Sequence, residues 1–231
     1  MSRPPPSTRT PLVWDLPVRL IHALTALCFA GAWLSAESER WHLLHITLGY
    51  TVGGLVAFRL VWGWVGSPAA RFRHFVRGPA AVTRYLRSLL HGRPEHHDGH
   101  NPAGGWAVLG LLTGLAVTVA LGWATEMEWL PAALEEAHEA TAAAVLTLVG
   151  VHLLGVASGS WAHGENLARA MVTGRKRAAQ ALATPHRPLA ALLLCAVLGF
   201  WAWQWQSAPQ APAGLQAAGT HGHAEDDHED D

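Results

Sequence analysis

In His138-Glu-Ala-Thr-Ala-Ala-Ala-Val-Leu-Thr-Leu-Val-Gly-Val-His152 a small-residue, apolar segment carries a histidine at each end. The two histidines are fourteen residues apart. In an α-helix that separation comes within about 40° of a whole number of turns, with an axial rise of ~21 Å, so both rings lie on one face at two depths. The segment belongs to an apolar run from about Leu134 to Ser158. That run is close to the ~20 residues needed to cross ~30 Å of hydrocarbon. An ionisable side chain at membrane depth is costly and is by default a functional feature. The reading of this stretch therefore sets the fold class: all-α, membrane-spanning, with chemistry inside the bundle.

Four further runs have the same character: Pro17–Ala36, His42–Val65, Gly104–Thr125 and Pro188–Gln206. The composition agrees. Half of the 231 residues are apolar and only 14% are charged, against about 25% charged in an ordinary soluble domain. This excludes a disordered chain and argues against a soluble globule. Glycine (23) and tryptophan (12) are plentiful, as in membrane helices and their interfacial belts. A net charge of −1 gives no bulk basic character for nucleic acid. Cys28 and Cys195 lie inside apolar runs, which excludes a disulfide framework. No C-x-x-C-H occurs, so a covalently attached c-type haem is excluded. The polar, Pro-rich start, Met1 to Pro6, is no cleavable signal peptide, and the first run is expected to remain as an anchor.

Arg and Lys set the expected orientation. Arg3, Arg9 and Arg19 precede or open the first span. Arg71, Arg73, Arg77, Arg84, Arg87 and Arg93 crowd the connection between the second and third. Arg169, Arg175, Lys176, Arg177 and Arg187 crowd that between the fourth and fifth. The other two connections hold only Arg40, and Glu126–Glu136 carries four glutamates. The N-terminus is thus expected in the cytoplasm and the C-terminus on the far side of the membrane. Within the long basic loop 66–102, Pro79–Leu90 reads as a short amphipathic helix, with Val82, Tyr85, Leu86 and Leu89 opposite Arg84 and Arg87. It would lie on anionic lipid or serve as a docking surface. His91 to His100 is polar and Gly/Pro-punctuated, hence loop.

Fifteen histidines are present, and four fall inside spans: His22, His45, His138 and His152. His22 lies near the cytoplasmic end of the first span, at the level of His152. His45 lies near the far-side start of the second, at the level of His138. The expected pairs are His22 with His152 and His45 with His138. One imidazole from each of two facing helices suits the two axial positions of a b-type haem iron, so two pairs suit two haems. A zinc site would need three or four ligands at one point. Small residues beside these histidines leave room for a macrocycle: Ala23, Ala26, Ala30 and Gly31, then Gly49, Ala142 and Gly155. Ordinary helix–helix packing is the plainer account of them. His42 competes with His45 but lies shallower, where it would meet interfacial water or a propionate. Arg19 and Arg59, near cytoplasmic helix ends, either snorkel to headgroups or pair with haem propionates. Trp14, Trp33, Trp41, Trp62, Trp64, Trp106, Trp123 and Trp129 fall at span ends and read as an aromatic belt.

At these residues the sequence resembles the bacterial cytochrome b561 family, which includes the b-type cytochrome subunits of nickel–iron hydrogenases. The matching stretches are Val13-Trp-Asp-Leu-Pro-Val-Arg-Leu-Ile-His22, His45-Ile-Thr-Leu-Gly-Tyr50, Arg59-Leu-Val-Trp62, Gly99-His-Asn-Pro-Ala-Gly104, and His138-Glu139 followed by His152. They extend over roughly Val13 to Lys176. The resemblance implies a four-helix bundle with two non-covalent b haems held by histidines of the first, second and fourth helices, here His22, His45, His138 and His152. It also implies electron exchange with membrane quinone or quinol, or with a redox partner such as a periplasmic c-type cytochrome or a hydrogenase-like enzyme.

The expected organisation is a cytoplasmic segment (1–12), a di-haem transmembrane domain (13–177), a linker with a fifth helix (178–206), and a disordered, acidic, His-rich periplasmic tail (207–231). The fifth run has Cys195, Trp201, Trp203 and Trp205 but no histidine, and reads as an anchor or partner contact. The tail reads as solubilising, with loose metal binding by His221, His223 and His228, or docking of a basic cytochrome, as alternatives. The expected function is that of an electron-transfer subunit in the membrane. Its rival is a metal-ion or proton-coupled transporter using the intramembrane histidines. Transporters favour helices broken at mid-membrane, whereas Pro17, Pro102, Pro131 and Pro188 all sit at span starts.

Overall fold

A computed structural model describes residues 10–92, 95, 97–127 and 133–208. Arg3, Arg9, Arg93, Glu128, Trp129, Pro131 and the histidines of the tail lie outside the described residues.

Five helices are long and apolar enough to cross a membrane. They are α1 (Leu16–Ser35), α2 (His42–Val65), α5 (Pro102–Glu126), α6 (Ala133–His163) and α8 (Arg187–Ser207). Three shorter helices lie between them: α3 (Phe72–Phe75), α4 (Pro79–Leu90) and α7 (Leu167–Thr173). Helix starts follow the local chemistry. The Asp15 carboxylate accepts the Val18 amide at 2.8 Å, with Pro17 in the first turn of α1. The Asn101 side chain does the same for Gly104 at 2.7 Å, with Pro102 opening α5. Both are N-caps that satisfy an otherwise orphaned amide. The expected spans all form, and α6 continues past Ser158 to His163. There the chain turns at Gly164, whose φ of 56° suits glycine.

The spans form two hairpins, α1/α2 and α5/α6, joined along α2 and α5. Halfway along, Cys28 of α1, Val52 and Val56 of α2, Leu115 of α5 and Val145 of α6 pack into one buried cluster. Val145 lies midway in sequence between His138 and His152, so this cluster separates the two histidine levels. The fifth span packs on α1 and α2 through Val197, with Ile21 and Leu55. Its Trp201 indole donates to the Thr51 hydroxyl at 2.8 Å. This face of α8 is therefore covered by the chain's own helices.

At one end, three chain segments interlock. The Val13 and Trp14 amides donate to Gly174 O at 2.8 and 3.1 Å. Leu16 N donates to Pro185 O, and Ala69 N to Leu182 O. Val13, Trp14 and Ala69 pack against Ala178 and Leu182. The stretch after residue 177, read from sequence as a linker, is thus part of this cap. The Trp14 side chain is buried here, and Trp62 donates to Asp15 at 3.1 Å. Neither belongs to a lipid-facing belt. α4 forms over the expected residues and rests on α5. It buries Tyr85, whereas Leu86 stays 46% exposed on its flank.

Candidate functional site: two histidine pairs on facing helices

The two hairpins bring His22 opposite His152 and His45 opposite His138. Ring centroids are 6.4 Å apart in the first pair and 6.1 Å apart in the second. Two metal–imidazole bonds of ~2 Å, plus about 1 Å from each nitrogen to its ring centre, would separate centroids by about 6 Å. Both pairs therefore have the span of two imidazoles on opposite sides of one metal ion. They are too far apart for a direct hydrogen bond between ring nitrogens to account for the spacing.

The pair toward α6's acidic start has its tautomers fixed. His45 Nδ1–H donates to Ala32 O at 2.9 Å. Ala32 lies in the last turn of α1, where carbonyls lack an intrahelical amide partner, and the Ser35 hydroxyl also donates to it at 3.2 Å. His138 Nδ1–H donates to Thr118 O of α5, also at 2.9 Å. A neutral imidazole that donates from Nδ1 keeps a lone pair on Nε2, the form required of a metal ligand. Gly122 makes the second bond possible. A Cβ there would stand 2.8 Å from Cε1 and 2.9 Å from Nδ1 of His138. Gly49, one turn beyond His45, and Gly155, just past His152, have nothing within 4 Å of an added Cβ. The donor set, its spacing and this open flank fit a flat macrocycle held edge-in between helices. Among the described residues no three His, Cys, Asp or Glu side chains converge as a metal cage.

The shallower His42 turns away from both pairs. Its Nε2 lies 3.3 Å from Glu126 at the end of α5, and its side chain stays 61% exposed, at the surface where interfacial water is expected to meet it. Arg59 is buried, 6% exposed, so it does not snorkel to headgroups. Its guanidinium lies 5.2 Å over the Phe72 ring, and Nη1 has no hydrogen-bond partner. Gly63 admits that ring, since a Cβ there would come within 2.0 Å of it. Arg19 has a different use from the one expected. Its Nε donates to Met171 O at 3.2 Å, and Nη2 to Val172 O. It thereby caps the last turn of α7, a favourable place for a cation.

Two groups near the His22–His152 pair have no role assigned from sequence. Asp15 accepts from Val18 N, Trp62 Nε1 and Ser67 Oγ. It fastens the start of α1 to the end of α2, and the string Trp-Asp-Leu-Pro, a helix-cap signal, already marks it. His100, in the loop before α5, packs against Trp14 and Phe75, each with ring centroids at 4.5 Å. Burial first, then the nearby positive charges of Arg59 and Lys176 and the rings of His152 and His22, push its pKa down to about 3. Lys176, itself buried, donates to His97 O at 2.6 Å and Gly99 O at 3.1 Å and so holds this loop in place.

Comparison with known proteins gives one family. The sequence model described as prokaryotic cytochrome b561 matches residues 13–174. No curated protein and no solved structure matches the chain.

Proposed function

Because the chain belongs to the prokaryotic cytochrome b561 family, a family of membrane electron carriers, we propose that it is a di-haem b-type cytochrome. In this reading it relays electrons across the bacterial inner membrane. Quinone or quinol lies at one terminus of the relay and a redox partner at the periplasmic face lies at the other. The chemistry of a c-type cytochrome or a hydrogenase-like enzyme suits that partner. The multi-pass fold is that of an inner-membrane protein.

The observation that carries the reading is the spacing of the two histidine pairs, 6.4 and 6.1 Å between centroids. Haem, when bound, supplies reversible one-electron chemistry at iron. The protein's part is to hold and tune it. His22 with His152, and His45 with His138, would hold the two haems through their ring nitrogens. The Ala32 and Thr118 carbonyls orient two of these rings and raise their basicity. The Cys28, Val52, Val56, Leu115 and Val145 layer keeps water from the space between the two levels. Arg59 offers a buried positive charge to a propionate at the His22–His152 level.

The test is an optical spectrum of detergent-purified protein, oxidised and dithionite-reduced, with haem measured per chain. Two low-spin haems per chain are expected, falling to one in His22→Ala and to one in His138→Ala. A wild-type protein that takes up no haem when haem is in ample supply overturns the reading.

A further inference from the structure

Arg59 and His100 come from separate parts of the chain, the last third of α2 and the loop before α5. Both place polar atoms out of solvent with no partner: Arg59 Nη1 and His100 Nδ1. Buried polar atoms left unbonded are rare and costly. The two are linked through one aromatic wall. Arg59 lies over Phe72, Phe72 packs on Phe75 at 5.8 Å, and Phe75 packs on His100. Leu55, one turn before Arg59, packs with Ile21, the neighbour of His22, and His100 packs on Trp14 at the start of α1, so the cluster lies at the level of the His22–His152 pair.

The nearby acid does not meet the need. Asp15 is close enough to attract Arg59, but its carboxylate already accepts three hydrogen bonds. The second buried cation, Lys176, is turned to backbone carbonyls. What is missing is an acceptor, and the positive charge of Arg59 selects an anionic one. His100 adds direction, since an imidazole ring N–H donates along one fixed line.

Resting on the di-haem reading, we propose that His100 and Arg59 together bind one propionate carboxylate of the haem held by His22 and His152. Arg59 supplies the charge and His100 a neutral hydrogen bond that fixes which way the carboxylate turns. The Gly99-His-Asn-Pro stretch thereby serves two ends. Asn101 caps α5, and His100, one residue earlier, reaches the site. His100 is a positioning residue, acting on the haem through its carboxylate.

The test compares wild type, His100→Phe and His100→Gln by redox titration. His100→Phe keeps the aromatic packing against Trp14 and Phe75 and removes the donor. The haem at this level is identified as the wave lost in His22→Ala. With one donor gone the carboxylate's negative charge is less compensated, so oxidised iron is favoured. The midpoint potential of this wave should fall in His100→Phe, recover in part in His100→Gln, and leave the other wave in place. The same proteins are then made as apoprotein and loaded with haem whose propionates are methyl esters. There the difference between wild type and His100→Phe should vanish. An unchanged potential with native haem overturns the proposal alone. So does an equal shift with esterified haem, which would point to another acceptor such as a quinone carbonyl. Absence of haem from wild type overturns the di-haem reading with it.

Discussion

Gly122 shows how a residue without a side chain decides the chemistry of a neighbouring helix. Its missing Cβ lets the His138 ring lie against α5 and donate from Nδ1 to Thr118 O. A methyl group at 2.8 Å from Cε1 cannot be accommodated by a flexible side-chain end, because the neighbour is the ring itself. Gly122→Ala should therefore turn His138 away from His45 while α5 gains helix propensity. The haem content of purified Gly122→Ala is expected to drop from two to one per chain, with the His22–His152 wave retained. Loss of an orienting bond at a metal-bound histidine typically weakens affinity about 10–100-fold. Two haems of unaltered spectrum in this variant would show that the Thr118 bond orients nothing. The four histidines and their partition by depth are legible in sequence, since helical rise and periodicity are local rules. The Ala32 and Thr118 carbonyls are not, because every helix residue has a carbonyl and only tertiary packing selects one. Arg59 stands out in sequence, yet its burial under Phe72 depends on how the chain after α2 folds back, which no periodicity records. The placement of His100 beside it depends on the same fold-back, so its motif alone gives it no role.

At the scale of elements, α4 is readable to the residue because its amphipathic pattern and Pro79 at its start are local signals. What covers its apolar face is not readable, and sequence leaves two occupants open, lipid and a docking partner. The structure places α5 there. Tyr85 is the anchor, 2% exposed, with its phenol bonded to the Asn101 side chain that also caps α5. Burial raises the phenol's pKa above its ordinary 10.0, and the Asn101 bond opposes this less strongly. The docked state thus keeps a proton that the undocked helix releases. Below pH 10 the contact is at full strength, and it is lost as pH rises past 10 through the higher docked-state value. The chain has two tyrosines, so phenolate absorbance can be resolved. The component missing from Tyr85→Phe should titrate above the ordinary value, and cleavage at Arg84 and Arg87 by trypsin should accelerate over the same range. A Tyr85 component that ionises at or below 10 would mean that α4 is not held by this contact. The fifth span is the element least specified by sequence. It has no histidine and no polar stripe, and its place beside α1 and α2 rests on Val197 and the Trp201–Thr51 bond.

For the whole molecule, the distribution of charge over the two ends gives an orientation that the fold reinforces. The interlocked cap is built from residues before α1, between α2 and α5, and between α6 and α8. These three segments are the basic ones. They carry Arg71, Arg73, Arg77, Arg84 and Arg87, then Arg169, Arg175, Lys176, Arg177 and Arg187. The other end carries Glu37, Glu39, Glu126, Glu135 and Glu136, with Arg40 its cation among the described residues. On the positive-inside rule the cap is expected in the cytoplasm, and five crossings would then carry the end of α8 to the periplasm. In that orientation the His22–His152 pair, with Arg59 and His100, would lie at the cytoplasmic level, and His45–His138 at the periplasmic level. Green fluorescent protein fused before Thr10 should fluoresce, and fused after Ala208 it should stay dark. Alkaline phosphatase should be active only at the second position. The reverse pattern would exchange the two levels: the carboxylate-binding cluster would face the periplasm, and electrons from a periplasmic partner would enter at His22–His152 and not at His45–His138.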